Sequence, residues 1–259
     1  MVRGFDLAFP GSSSPCRGGD DDAARFALDS ASALSEEHTM NRHEFSLVGA
    51  ALEARATGAL YWPAEHMLIV SDLHLGKSAR IARRTGAMFP PYETRDTLSR
   101  LESDIAQTEA KTIVCLGDSF DDLAAAQSLD EEERLWLARL QAGRRWIWIE
   151  GNHDPGPVDF GGTHLAELAT GALIFRHIAE EGATGEISGH YHPKARLHAR
   201  GRVITRACFL YDEARVIMPA YGTYTGGLRS DDVALNSLMQ PGACAVLTGK
   251  QTHVIPMPR

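Results

Sequence analysis

The sequence predicts a layered α/β domain, and three observations carry this expectation. Short apolar runs alternate with helical patterns from residue 44 onward. The later part of the chain is mostly runs rich in Val, Ile and Tyr, which are typical of strands. An apolar fraction of 44% and a charged fraction of 23% are ordinary for a globular protein with a sizeable core. A chain in which strands and helices alternate early and strands predominate later is expected to form several packed layers and not a purely parallel sheet.

The elements follow from local patterns. A helix is expected after Pro90-Pro91, because Leu98, Leu101 and Ile105 then share one face. A second helix is expected from about Ser128, where Ser128 and Glu131 have capping-box spacing. Strands are predicted at 45–49, 57–62, 66–71, 112–116, 145–150, 172–176, 184–188, 203–210, 214–218, 243–248 and 251–255.

Residues 1–39 differ in composition from the rest. They hold a Gly-Ser-Ser-Ser-Pro stretch, an Asp20-Asp21-Asp22 run and little apolar periodicity. We expect a disordered extension here, followed by one domain over residues 40–259. An additional hypothesis is that Met40 is the true start; the intact mass of the protein made from its native gene would test it.

Charge and cysteine usage restrict the class of protein. A net charge of −8 argues against a protein coated in nucleic acid. It leaves open an enzyme that binds a short phosphodiester, because divalent cations would supply positive charge. No apolar run reaches the roughly 18 residues of a membrane span, and no secretory signal is visible. Scattered Cys16, Cys115, Cys208 and Cys244 favour buried thiols in the cytoplasm.

Five polar blocks each follow a predicted strand, where α/β folds usually assemble their sites. An Asp-x-His triplet is by itself most often a surface feature, and a single His after a strand is at best as often a metal ligand as not. His164 competes with His177 but lies in a stretch that looks helical. Together the blocks offer oxygen and nitrogen donors without thiolate, a set that suits Mn²⁺, Fe or Zn²⁺. The blocks are Asp72-Leu73-His74, Gly117-Asp118, Gly151-Asn152-His153-Asp154, His177 and Gly189-His190-Tyr191-His192. In the third block, His153 is a candidate to stabilise the phosphoryl group or to protonate the leaving oxygen, with Asp154 orienting its ring.

In this order the blocks resemble the calcineurin-like metallophosphoesterase superfamily, over about residues 57–225. The resemblance implies a four-layer αββα sandwich with two mixed β-sheets. It also implies two divalent metal ions and a hydroxide bridging them that attacks phosphorus. By the family pattern, one ion is held by Asp72, His74 and His192, the other by Asn152, His177 and His190, and Asp118 bridges them.

Flanking segments resemble one bacterial group, the DNA ligase-associated metallophosphoesterases. They are 60–63, 89–93, 208–210 and 218–228. This resemblance implies a Mn²⁺-dependent DNA endonuclease or phosphodiesterase in the DNA damage response, functionally associated with a DNA ligase, a helicase and an exonuclease. One departure is Asp121, where many such relatives carry His; an extra carboxylate there puts phosphate approach in question.

Two basic clusters begin at the predicted site. They fit contacts to a phosphate backbone, although a solvated positive surface is the alternative. The candidates for substrate binding are Lys77, Arg80, Arg84, Lys194 and Arg196; the second cluster continues through Arg202 and Arg206 with no acidic residue among 194–206.

Two other functions stay open beside a DNA phosphodiesterase. One is a small-nucleotide phosphohydrolase acting on cyclic nucleotides or dinucleoside polyphosphates, which would prefer short substrates and depend weakly on salt. The other is a non-catalytic scaffold. Scaffolds of this kind typically lose metal ligands, whereas every expected ligand is present here, so the sequence favours an enzyme.

Overall fold

Two mixed β-sheets packed face to face form the centre of the domain. The computed structural model describes residues 41–86, 92–156, 159–199 and 201–259, with the side chains of residues 79, 84, 198 and 199 left out. The predicted extension 1–39 and the alternative start at Met40 lie outside the described residues. So does the side chain of Arg84.

The first sheet carries strands β1 to β7 in chain order, antiparallel from β1 to β4 and parallel from β4 to β7. Its strands are β1 (Arg42–Leu47), β2 (Ala50–Arg55), β3 (Leu60–Trp62), β4 (Met67–Val70), β5 (Thr112–Leu116), β6 (Arg145–Ile149) and β7 (Thr163–Leu165).

The second sheet has the order β15-β14-β12-β13-β10-β9-β8, and β11 pairs with β12 off this path. Strand β10 is parallel to both of its neighbours, and the other pairs are antiparallel. Its strands are β8 (Leu168–Thr170), β9 (Leu173–Phe175), β10 (Glu186–Ser188), β11 (Lys194–Ala199), β12 (Arg202–Tyr211), β13 (Arg215–Ile217), β14 (Cys244–Leu247) and β15 (His253–Pro256).

Helices cover the outer faces of both sheets. They are α1 (Lys77–Thr85), α2 (Glu93–Thr108), α3 (Leu123–Ser128), α4 (Glu131–Gln141) and α5 (Val233–Leu238), and a 3₁₀ turn occupies Pro63–Glu65. In the described part of the chain, the helices are all too short or too polar to cross a membrane. Cys115, Cys208 and Cys244 are free thiols.

Side-chain alternation along the strands explains the four layers. In β5, Val114 packs between the sheets while Ile113 and Cys115 pack against the helices of the first sheet. In β12, Phe209 faces the other sheet, and Leu210 faces the layer that contains α5. Each central strand is therefore buried on both faces, and the predicted αββα sandwich with two mixed sheets is confirmed.

The structure corrects several local predictions. The capping box of α4 is formed by Asp130 and Glu133 rather than Ser128 and Glu131. Ser128 instead ends α3, a helix that was not predicted and that Asp122 caps. His164 lies in strand β7 and not in a helix. Short edge strands such as β7 and β8 were missed, because three residues are too few to show a period.

Candidate metal centre

The parallel strands of the two sheets deliver polar side chains to one place. Asp72 and Asp118 stand two residues beyond the ends of β4 and β5, and Asn152 stands three beyond the end of β6. His177 and His190 stand two residues beyond the ends of β9 and β10. Since the carboxyl ends of parallel strands meet at one edge, residues far apart in the chain converge there.

The backbone at this edge is strained. Asp72, Asp118 and His190 have φ angles of 53°, 46° and 69°. His74 and His192 are also left-handed, at 46° and 48°. Such conformations cost roughly 1–3 kcal/mol each for residues other than glycine, and they persist only where the surrounding structure enforces them. Their concentration here marks the site as one built for something other than stability.

Two glycines of the polar blocks are required by close packing. A Cβ added to Gly151 would lie 2.1 Å from the backbone nitrogen of Asp118. A Cβ added to Gly189 would lie 1.8 Å from Ser71 Oγ and 2.5 Å from Asp72 Oδ2. The glycines in the Gly-Asn-His and Gly-His-x-His blocks therefore allow one strand end to touch another.

The first group of converging donors contains Asp72, His74 and His192, whose ligand atoms lie within 4.8 Å of one another. Asp72 Oδ1 and His192 Nε2 are 2.9 Å apart. The other oxygen of Asp72 accepts hydrogen bonds from Ser71 Oγ at 2.5 Å and from the backbone nitrogen of His190 at 3.0 Å. Asp72 is therefore held by one oxygen while the other faces His192.

The second group contains His177, His190 and Asn152. His177 Nδ1 donates to the carbonyl oxygen of Leu116 at 2.9 Å, which leaves Nε2 as the donor atom for a ligand. That Nε2 lies 3.0 Å from Asn152 Oδ1 and 3.2 Å from His190 Nδ1. Three polar atoms from three strand ends thus surround one point.

Asp118 lies between the two groups. Its Oδ1 accepts a 2.8 Å hydrogen bond from the backbone nitrogen of His153. Its Oδ2 is 4.0 Å from His74 Nε2 and 3.5 Å from His177 Nε2. Burial alone would raise the pKa of Asp118, but the adjacent His177 and the hydrogen bond and charge of His153 together outweigh burial and lower the pKa to about 2. Oδ2 is therefore the oxygen that faces both groups, because Oδ1 is already hydrogen-bonded to the backbone of His153.

Unpartnered buried atoms test whether the first group suits a metal ion. Within the described residues, Asp72 Oδ1, His74 Nε2 and His192 Nε2 are buried and make no contact with the geometry of a hydrogen bond, and this includes the 2.9 Å approach of Asp72 Oδ1 to His192 Nε2. Leaving such atoms unpaired costs about 1–3 kcal/mol each. Burial also lowers the pKa of His74 and so favours the neutral imidazole that binds metals. The first group offers a carboxylate and two imidazoles and no thiolate, and such a donor set suits a divalent metal ion. The residues of this group therefore fit a divalent metal ion.

His153 and Asp154 differ from the predicted arrangement. His153 Nδ1 bonds the backbone oxygen of Asp121 at 2.8 Å. Asp154 instead accepts hydrogen bonds from the backbone nitrogens of Asp118, Ser119, Phe120 and Gly151 at 2.8–3.2 Å. Asp154 thus fastens the loop that carries Asp118 to the loop that carries Asn152, and a backbone carbonyl orients the His153 ring.

Asp121 does not leave a free negative charge beside the site. Arg80 Nη1 lies 2.8 Å and Lys77 Nζ 3.7 Å from its carboxylate oxygens. His74 Nδ1 is 3.0 Å from Asp121 Oδ1, and His74, Asp121 and His153 form a third converging group. Lys77 and Arg80, predicted as substrate contacts, are therefore engaged with Asp121.

The second basic cluster lies on the hairpin of β11 and β12. Lys194 Nζ donates to the carbonyl oxygen of Thr225 at 3.0 Å, which ties it to the loop 222–228. Arg196 is exposed. Sequence patterns missed two supports of the site, Ser71 and the Leu116 carbonyl, because only the fold brings them against Asp72 and His177. The serine directly before the Asp-x-His block was the one available signal.

An edge of two packed sheets that gathers carboxylate and imidazole donors in this way defines a metal-dependent phosphoester hydrolase. The chain belongs to the calcineurin-like phosphoesterase family, whose pattern matches residues 66–212, more than half of the chain. The predicted family membership is therefore confirmed.

One solved structure is similar over nearly the whole fold. The nuclease MPE of Pseudomonas putida is 26% identical, with a TM-score of 0.66, and the match covers 83% of this chain and 100% of that one. This likeness supports the resemblance to the bacterial DNA ligase-associated group. The curated protein sequences contain no match to this chain.

Proposed function

We propose that this protein is a DNA phosphodiesterase, acting as an endonuclease with two divalent metal ions, preferentially Mn²⁺. The observation that carries the proposal is the convergence of donors from five strand ends onto two adjacent points. The choice of DNA is supported by the likeness to a nuclease that the match covers along its full length. Manganese is proposed because the sequence resembles a Mn²⁺-dependent group and the donors mix carboxylate, amide and imidazole.

In this proposal Asp72, His74 and His192 hold one ion, and Asn152, His177 and His190 hold the other, with Asp118 shared between them. Two such ions would lower the pKa of a water that serves as the nucleophile and would polarise the phosphoryl oxygens. The hydrogen bond that His177 donates to the Leu116 carbonyl oxygen and those that Asp72 Oδ2 accepts fix the orientation of these ligands before substrate arrives.

His153 is the group that we assign to the substrate. Its side chain keeps 29% of its surface exposed, while its neighbours His74 and Asp118 keep 3% and 4%. Because Nδ1 bonds the Asp121 carbonyl oxygen, Nε2 is the atom that faces the site. From there it would bind a phosphoryl oxygen or deliver a proton to the leaving oxygen. Asp154 would act by positioning the loops on either side.

We place the enzyme in the cytoplasm and in the DNA damage response, in functional association with a DNA ligase, a helicase and an exonuclease. This context is supported by the segments that resemble the DNA ligase-associated group, among them residues 218–228. In that loop, the backbone nitrogens of Tyr221 and Gly222 donate to the carbonyl oxygens of Ser71 and Asp72 at 2.8 and 3.0 Å. The loop therefore forms one wall beside the proposed metal ligands.

The deciding experiment assays protein stripped of metal against single-stranded DNA, a cyclic nucleotide, a dinucleoside polyphosphate and an artificial phosphodiester. Each is tested with Mn²⁺, Mg²⁺ or Zn²⁺, in wild type, Asp118→Asn, His153→Ala and, as a matched control, the exposed His253→Ala. Mn²⁺-dependent DNA cleavage that both site variants lose would support the proposal. Hydrolysis of small nucleotides without DNA cleavage would instead support the hypothesis of a small-nucleotide phosphohydrolase. No hydrolysis of any substrate would favour a non-catalytic scaffold.

A further inference from the structure

The hairpin of β11 and β12 forms an arm that extends beyond the second sheet. Residues Cys208–Tyr211 of β12 pair with β14 inside the sheet. Residues Arg202–Ala207 of the same strand pair, among the described residues, with β11 alone. This part of the hairpin, residues 194–199 and 202–207, is called the arm below. About six residues per strand at roughly 3.3 Å per residue make it about 20 Å long.

One face of the arm is basic and has no acidic partner. Arg202, Ile204 and Arg206 point the same way, since alternate residues of a strand share a face. All three are exposed, Ile204 by 37%. In the described part of the chain, neither arginine makes an ion pair within 4.0 Å.

The opposite face carries Arg196, whose charge acts on the carboxylate of Asp231. The pKa of Asp231 is lowered mainly by its hydrogen bond with Arg229 and also by the charge of Arg196. Arg196 therefore has a carboxylate in its neighbourhood, whereas among the described residues no carboxylate lies within 4.0 Å of Arg202 or Arg206. The first face is the one available to a polyanion.

The base of the arm adjoins the candidate metal centre. Strand β11 begins two residues after His192, and the carbonyl oxygen of Pro193 accepts a 3.0 Å bond from the backbone nitrogen of Cys208. Bonds from Lys194 to Leu228 at 2.8 Å and to Thr225 at 3.0 Å anchor this base. A cavity of about 360 Å³ lies beside it, lined by His190, Tyr191, His192, Gly227 and Leu228. The arm therefore begins directly beside two of the proposed metal ligands, His190 and His192.

We infer that the arm binds the sugar–phosphate backbone of a DNA strand on one side of the phosphate that is cleaved, along the face of Arg202, Ile204 and Arg206. The inference rests on the proposed function. Arg202 and Arg206 are four residues apart, about 13 Å along the strand. That distance spans about four phosphates at the 3.4 Å rise of a stacked strand. Ile204 lies between the two arginines, where it contacts sugars.

Binding of this kind is independent of base sequence, because guanidinium groups on phosphates position a strand without reading it. It also gives the enzyme a preference for long strands over small diesters. The arm contributes nothing to a substrate too short to reach it. The preference for polymeric substrate and the chemistry at the metal centre therefore belong to different parts of the chain.

The test compares wild type with Arg202→Ala/Arg206→Ala in two measurements. The matched control is Lys111→Ala/Arg145→Ala, which removes two exposed cations at the amino ends of β5 and β6, opposite the site. The first measurement is the ratio of single-stranded DNA cleavage to hydrolysis of a small chromogenic phosphodiester. The second is the affinity for a cleavage-resistant phosphorothioate strand over a range of salt concentrations, by fluorescence anisotropy.

We expect the arm variant to lower the cleavage ratio at least about tenfold and to reduce the salt slope of binding by about 1.4, at about 0.7 per lost phosphate contact. The control should match wild type in both. An arm variant that binds the strand with the affinity and salt slope of wild type overturns the inference, as does a wild type that does not bind the strand. A wild type that binds but does not cleave DNA contradicts the proposed function and leaves the arm supported.

Discussion

His74 Nδ1 lies 3.0 Å from Asp121 Oδ1, and the other oxygen of the same carboxylate accepts a 2.8 Å bond from Arg80. One buried carboxylate thus contacts a proposed metal ligand on one side and a cation on the other. An Nδ1–H held by Asp121 would leave His74 Nε2 free for the metal. Asp121 therefore supports the site, and its charge is compensated there by Arg80.

Replacing Asp121 tests this role. We expect Asp121→Ala to weaken metal binding by about 10–100-fold, the usual effect of losing a group that orients a ligand. Calorimetric titration of metal-free protein with Mn²⁺ measures it. The control is Asp122→Asn, because Asp122 caps α3 and pairs with Arg83 at 2.9 Å and more distantly with Arg80 at 3.7 Å, whereas Asp121 is the carboxylate beside His74. Equal affinities in wild type and Asp121→Ala would contradict the role.

Gly189→Ala should damage the metal centre through packing alone. The added Cβ would lie 1.8 Å from Ser71 Oγ and 2.5 Å from Asp72 Oδ2, so the two strand ends must separate. We expect the variant to lose bound metal and to melt at a lower temperature. Metal analysis measures the first effect and calorimetry the second. Gly242→Ala is the matched control, because nothing lies within 4 Å of its Cβ position. If Gly189→Ala bound as much metal as wild type, the close approach of Gly189 to Ser71 and Asp72 would not be needed for the metal centre.

Metal removal should destabilise the fold. The ions would bind the folded protein far better than the unfolded chain, because the proposed ligands come from positions as distant as Asp72 and His192. At a free metal concentration about 100 times Kd, the gain in unfolding free energy is about 2.7 kcal/mol. Thermal melts with Mn²⁺ and with a chelator measure the difference. The increase in melting temperature on adding Mn²⁺ should be smaller for Asp118→Asn than for wild type. An equal increase in both proteins would show that the ions bind at a site that does not include Asp118.

His153→Ala should separate catalysis from metal binding. Its ring contacts the Asp121 carbonyl oxygen and otherwise faces the site, so its loss should leave the metal content intact. We expect kcat to fall by about 10²–10⁴-fold, the usual contribution of a proton-transfer group. Steady-state kinetics and metal analysis on the same sample provide the measurement. A variant that loses metal together with activity would show a structural role instead.

A buried network behind the site sets stability. Tyr221 donates to Asp104 Oδ2 at 2.8 Å, and Arg55 donates to Oδ1 at 2.7 Å. Tyr221→Phe would leave one buried carboxylate oxygen unpaired, which should cost about 1–3 kcal/mol of unfolding free energy. Urea denaturation of this variant beside Tyr92→Phe, whose side chain is 67% exposed, checks it. A difference below about 0.5 kcal/mol, the range of ordinary surface substitutions, would contradict the expectation.

The central strands could be predicted because they are locally encoded. The strands predicted at 112–116 and 145–150 are mostly apolar and aromatic and end at a glycine or a polar residue, and they form β5 (Thr112–Leu116) and β6 (Arg145–Ile149). The capping box of α4 was misplaced by two residues, because Ser128 and Asp130 each stand three residues before a glutamate. Only packing selects Asp130 and lets α3 end at Ser128.

The sequence by itself determined the layered fold, the strand ends and the residue types that converge there, since each depends on neighbours a few positions away. The tertiary structure decided how these residues are used. It brought the Asp118 carboxylate to a position where only Oδ2 faces both donor groups. It also made Asp154 accept hydrogen bonds from backbone nitrogens instead of orienting the His153 ring. It also placed Lys77 and Arg80 against Asp121. Such contacts join residues separated by tens of positions, and their angles depend on the packing of two sheets, which no local pattern specifies.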